Sequence, residues 1–245
     1  MRLTSSSFFH FAKDFDTIKA ILADGFKVFY CLEEVYSTRK GIQHIGIPMA
    51  SFCDIPLNFV ADNNYGKYAI GMKRTWGIAH NLIPVSYYPN NKECFSTKTI
   101  IKATEDFITN PADVDKYSIL GYSKPMVKIE IPKNPQISID NYKEREWRKV
   151  YASSNPHMWK TEKEYKKYRG LKSTPKKQVG ISLKFGASDI DFILILEKDR
   201  KNLIDYIMRG GLHYFGGKTL VPITPDDQEL LLTKIVSFDS LVSNM

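Results

Sequence analysis

One charged stretch in the middle of the chain limits the fold more than any other: Asn141-Tyr142-Lys143-Glu144-Arg145-Glu146-Trp147-Arg148. It lies between the alternating run at residues 136–139 and Val150-Tyr151, a setting that predicts a β-strand. Strand side chains alternate between faces, so Tyr142, Glu144, Glu146 and Arg148 would share one face. Lys143, Arg145, Trp147 and Lys149 would share the other. The two carboxylates would then stand about 7 Å apart along the strand. Such a pair repels, and crowding or burial raises at least one of its pKa values. A fold that keeps the pair needs cations, a solvent front or a function on that face. Two readings follow. One is an edge strand whose charges block aggregation, with Arg148 pairing with Glu146. The other is a Glu-x-Glu catalytic strand, in which one carboxylate positions or activates a hydroxyl and the other stabilises a developing oxocarbenium cation.

The rest of the chain alternates short strands and helices. Residues 7–11 read as a strand with Phe9 and Phe11 on one face and Phe8 and His10 on the other. A helix follows, capped by Asp14 or Asp16, with Phe15, Ile18, Ile21 and Leu22 as its apolar stripe and Gly25 just past its end. Residues 26–32 predict a strand, and the polar run 33–46 predicts a loop. Residues 47–57 are extended, with Pro48 and Pro56 marking the two ends. A turn at residues 65–67 feeds a strand, a short helix covers 74–80, and a strand containing Pro84 covers 82–88. Ser96 caps a helix that runs to about Thr109 and stops at Asn110-Pro111. Strands are expected at residues 126–131, 191–196 and 230–238, and helices at 160–169 and 198–208. The whole reads as a single α+β domain over residues 1–245, with residues 152–180 inserted as a basic segment.

Charge singles out that segment. Of the net charge of +8, a balance of +6 falls between Lys160 and Lys177. Lys160, Lys163, Lys166, Lys167, Arg169, Lys172, Lys176 and Lys177 carry it, against Glu162 and Glu164. A concentrated basic window favours a polyanion such as RNA or DNA, or an acidic partner. The competing reading is a solvated basic helix and loop. With 43% hydrophobic and 25% charged residues, the composition is that of an ordinary soluble globular protein. No apolar run is long enough to span a membrane, and the N-terminus lacks a signal-peptide core. Cys31, Cys53 and Cys94 are odd in number and not spaced for zinc, so they read as free thiols in a reducing cytosol.

Familiar chemical motifs are missing. The glycine clusters lack the lysine of a phosphate loop, and no zinc-binding His or Cys spacing or nucleophile elbow appears. His10 differs from the other histidines. It sits in an aromatic strand, directly before the helix that ends Ile21-Leu22-x-x-Gly25. Tyr65 and Tyr68 could line a flat ligand, although a core or rim place fits them too.

Several segments, taken in order, resemble a known family. They are Phe8-Phe9-His10-Phe11, Ile21-Leu22-x-x-Gly25-Phe26 and the run from Pro48-Met49-Ala50-Ser51 to Ile55-Pro56-Leu57. Tyr65-Gly66-x-Tyr68-Ala69-Ile70-Gly71, Trp76-Gly77 and Glu144-Arg145-Glu146-Trp147-Arg148 complete the set. The sequence resembles the AbiGi family of abortive phage-resistance proteins over roughly residues 7–150, with a weaker echo at 190–196 and 232–238. That family carries the label of antitoxin in a two-gene abortive-infection system, which implies a cognate toxin or antitoxin protein as partner. The resemblance extends distantly to ADP-ribosyltransferase-like proteins, and so implies mixed or antiparallel sheets with flanking helices and NAD as substrate. By that likeness His10 would hold the nicotinamide-side ribose, with Tyr65 or Tyr68 stacking on nicotinamide and Ser51 in the same site. Glu146 would be the catalytic carboxylate, and Glu144 would orient the acceptor.

Overall fold

The computed structural model describes residues 5–37, 41–60, 66–111, 113–126, 141–151, 159–170, 178–209, 212–216 and 219–243. In chain order the first elements are β1 (Ser7–Ala12), α1 (Phe15–Asp24), β2 (Phe26–Ser37), β3 (Gly41–Cys53), β4 (Tyr68–Lys73) and α2 (Arg74–Ala79). Next come β5 (Ile83–Pro84), β6 (Ser86–Tyr88), α3 (Phe95–Thr109), α4 (Val114–Tyr117) and β7 (Ser123–Pro125). They are followed by β8 (Glu146–Val150), β9 (Lys160–Thr161), α5 (Glu162–Gly170) and β10 (Gln178–Leu183). The chain closes with β11 (Ile190–Ile195), α6 (Arg200–Met208), β12 (His213–Gly216), β13 (Thr219–Pro222), α7 (Pro225–Thr233), β14 (Ile235–Ser237) and α8 (Phe238–Ser243). The architecture is mixed α/β, with parallel and antiparallel strand pairs. No helix among the described residues is long and apolar enough to cross a membrane.

Two compact units divide the chain. The first holds Met1–Lys27, Phe52–Leu82 and Ser182–Met245; the second holds Val28–Ser51 and Ile83–Ile181.

In the first unit β1 pairs antiparallel with β4, Phe9 facing Gly71, and β4 pairs antiparallel with β11. Strand β14 then adds in parallel to β11. Alternation along β1 decides which side chains go where. Phe9 and Phe11 turn to a cluster with Ile55, Val60, Ala69, Leu194 and Phe238. His10 turns the other way, its ring 5.0 Å from Phe26 and 5.4 Å from Phe52. Helix α1 starts where Asp14 accepts the Thr17 backbone N–H at 2.9 Å. It stops at Gly25, whose φ of 76° suits only glycine and whose added Cβ would collide with the Leu183 carbonyl.

The second unit is organised by β3. Residues 45–50 of that strand are buried without a break, the pattern of a strand covered on both faces. It forms a long antiparallel hairpin with β2, from Phe29 facing Met49 to Ser37 facing Gly41. The loop expected at residues 33–46 is therefore mostly ladder. Its polar side chains have partners within the fold, Glu33 on Arg148 and His44 beside Glu162, while Val35 and Tyr36 fill the core. Pro48 lies inside β3 and not at a terminus; it lacks a donor, but its carbonyl accepts the Tyr151 N–H at 2.9 Å. Helix α3 presents Ile100, Ala103 and Phe107 to a core with Ile47, Met49, Tyr117, Leu120 and Trp159. Its N-cap is Cys94, so Ser96 lies within the helix.

Two further expectations change. The strand predicted over 82–88 splits: β5 pairs with β8, and β6 peels away to run parallel with β7. The closing strand predicted over 230–238 is the end of α7, a short β14 and the start of α8. Thr224 and Asp227 form a capping box with Pro225 at the first helical position, which starts α7 before the apolar run begins. Of the strand expected at 126–131, residues 127–131 lie outside the described set.

Candidate functional site

The charged stretch at residues 141–148 is not one strand. Asn141–Glu144 forms a 3-10 turn, and Arg145 takes φ 43° before β8 begins at Glu146. Left-handed backbone at a non-glycine residue breaks the strand period, so Glu144 and Glu146 do not alternate along a common strand. From Glu146 onward the alternation holds. Glu146, Arg148 and Val150 are buried, and Trp147 and Lys149 are half-exposed. Nor is β8 an edge strand: it pairs with both β3 and β5.

Arg148 is the hub. It is fully buried, and burying a guanidinium is tolerable only when its donors are met by carboxylates and carbonyls. Its Nε donates to Glu146 Oε1 at 2.7 Å and its Nη2 to Glu146 Oε2 at 2.8 Å, a bidentate fork. Nη2 also donates to Glu33 Oε2 at 2.8 Å, and Nη1 donates to the Gly121 carbonyl at 3.2 Å. Lys124, delivered by β7, adds a second cation, its Nζ bonding Glu144 Oε2 at 2.5 Å and Glu146 Oε2 at 3.2 Å. Tyr87 Oη accepts the Glu146 backbone N–H at 2.9 Å, and the Ser51 hydroxyl bonds the Glu146 side chain.

The electrostatics follow from this wiring. Burial pushes the Glu146 carboxyl up, but the Arg148 guanidinium and the Lys124 ammonium outweigh it and hold the group well below the usual carboxylate range. Burial likewise works against charge on Lys124, and Glu146, Glu33 and Glu144 together raise it above its ordinary value. Burial raises the Tyr87 phenol. The result is a closed set of paired side chains. Glu146 is ionised, yet each of its oxygens already faces a protein cation.

Next to this network Tyr88, 3% exposed, buries a hydroxyl that has no hydrogen-bond partner among the described residues. An unmet buried hydroxyl costs desolvation with no return. Tyr88→Phe is expected to raise stability by about 1 kcal/mol in urea unfolding.

The structure brings some of the sequence-selected residues together within one unit and assigns others to the other unit. Ser51, Glu144 and Glu146 converge in the second unit, with Glu33, Lys124 and Tyr87 as members that local pattern did not reveal. His10 and Tyr68 belong to the first unit. Tyr68, 9% exposed, donates its hydroxyl to Asp199 Oδ2 at 2.7 Å. Burial, reinforced by Asp199, pushes its phenol up to about 12. Tyr65 lies outside the described residues, as do Lys172, Lys176 and Lys177.

The described part of the basic window is built into the second unit. β9 pairs with β3, Ile45 facing Thr161, and α5 follows. Tyr165, 3% exposed, anchors α5 against Gly46, where an added Cβ would lie 3.0 Å from the tyrosine ring. Lys160 sits over the rings of Tyr30 and Tyr168 at 5.2 and 5.3 Å. Lys163, Lys166 and Lys167 are exposed on the helix, and Arg169 lies in its last turn.

A family model described as "Putative abortive phage resistance protein AbiGi, antitoxin" matches residues 24–196, well over half of the chain. No curated protein and no solved structure matches it.

Proposed function

The chain belongs to the AbiGi family, and from that premise we propose that it is the neutralising member of an abortive-infection pair, a protein that binds a cognate toxin and holds it inactive. The observation that carries this reading is the state of Glu146. A carboxylate that stabilises a transient cation must stand open to it in a preorganised site. The Glu146 carboxylate is 7% exposed and already bonded by Arg148 and Lys124. Its charge holds Lys124 of β7 against β8 and holds the Arg148 guanidinium, which in turn bonds Glu33 of β2. Such a network rigidifies the unit that carries it, and a rigid surface loses less entropy on binding a partner.

Co-expression tests the reading. Produced alone, the chain is expected to leave growth unchanged; produced with its cognate toxin, it is expected to restore growth. Glu144→Gln, which leaves the Glu146–Arg148 fork in place, is expected to restore growth equally well. Growth arrest by the chain alone, relieved by a folded Glu146→Gln variant and accompanied by transfer of label from NAD, would instead establish an ADP-ribosyl transferase.

A further inference from the structure

Away from the buried network, the second unit carries a groove of about 510 Å³ between β3, β9, α3 and α5. Half-buried Ile108 makes its floor, with Ile45 and Phe107 almost wholly buried beneath it, and Glu162, Lys163 and Lys166 of α5 stand with His44 of β3 at its rim. The threonines that line the groove are already satisfied. Thr104 donates to the Ile100 carbonyl at 2.8 Å, and Thr161 donates to Glu164 at 2.8 Å. What the groove offers a ligand is therefore an apolar floor bordered by the Lys163 and Lys166 ammonium groups and by Glu162, whose carboxylate is paired with Lys166 and His44.

We propose that this groove is where the cognate toxin docks, through a segment that places one or two large apolar side chains on the floor and carboxylates along α5. The inference rests on the reading above and names its binding surface. Charge complementarity selects the occupant. Lys163, Lys166 and Lys167 fall at i, i+3 and i+4, one face of the helix, and all three are exposed. A row of cations along a helix matches a run of acidic residues better than a single small anion. Lys163 and Lys167 have no carboxylate partner among the described residues, and Lys166 holds only an exposed i,i+4 pair with Glu162. Exposed pairs of that kind contribute little, so Lys166 can change partner at small cost. The cavity size also suits two buried side chains, within the roughly 300–1,000 Å³ of ordinary binding pockets.

The test measures the affinity of the purified full chain for the purified cognate toxin, and compares wild type with the double variant Lys163→Glu/Lys166→Glu. Both positions are solvent-exposed, so the thermal midpoint of the variant should match wild type and serves as the folding control. The complex is expected to weaken about tenfold or more and to lose its sensitivity to salt. A photo-cross-linking residue at position 163 should join the toxin, and the same residue at exposed Met208 should not. Unchanged affinity, or cross-linking from 208 but not 163, overturns the groove and leaves the antitoxin reading standing. No binding by wild type overturns both. Two further results also count against the proposal: a dimer of this chain that the double variant dissolves, or a labelled RNA that the variant releases while toxin binding persists.

Discussion

Arg148→Ala is expected to be the most damaging single substitution in the second unit, lowering unfolding free energy by about 3–5 kcal/mol. The size follows from what the substitution leaves behind and not from what it removes. The guanidinium is fully buried between Glu146 and Glu33. Without it, two carboxylates with little access to water face each other, with Lys124 as the remaining cation. A surface arginine with the same number of contacts would cost less than 1 kcal/mol. A cycle with Glu146→Gln separates the two cases. The double variant should lose clearly less than the sum of the single losses, with a coupling of about 2–3 kcal/mol. Additive losses would mean that the fork contributes packing alone.

The second large effect is acid sensitivity. Glu146 is held well below its ordinary value of 4.5, with Arg148 as the leading cause that lowers it. A carboxyl whose folded pKa is depressed stabilises the protein at pH above the unfolded value, and that stability drains away as pH falls below it. Unfolding free energy is therefore expected to be steady from neutral pH down to about 5 and to fall steeply below 4.5. Glu146→Gln, already weaker at pH 7, should show a much flatter fall over the same range. Urea titrations at a series of pH values measure both curves. Parallel curves would show that other carboxylates carry the acid response.

Local pattern revealed the parts of this fold whose partners are near in sequence. The alternation of Phe8, Phe9, His10 and Phe11 set the two faces of β1, and Asp14 and Gly25 bounded α1 as expected. Glu146 and Arg148, two residues apart on a strand, were legible as a pair. Glu33 was not, because 115 residues separate it from Arg148 and nothing local marks it as a buried anion. For the same reason the polar run at residues 33–46 read as a loop, when tertiary partners let β2 and β3 extend through most of it. The shared face for Glu144 and Glu146 failed on one backbone angle. Arg145 enters the left-handed region, a choice its side chain does not announce. The Thr224-Pro225-x-Asp227 capping signal marks the start of α7, while the apolar run that follows it fits a strand when taken alone.

On the function proposed above, this chain works by holding a protein partner and not by chemistry on NAD. The most direct measurement mixes the purified chain with the purified cognate toxin in buffer free of NAD and follows both complex formation and toxin activity. A stable complex, with inhibition rising in step with the amount bound, is the predicted result. Free toxin that stays active, together with nicotinamide released from added NAD by the chain alone, would contradict it.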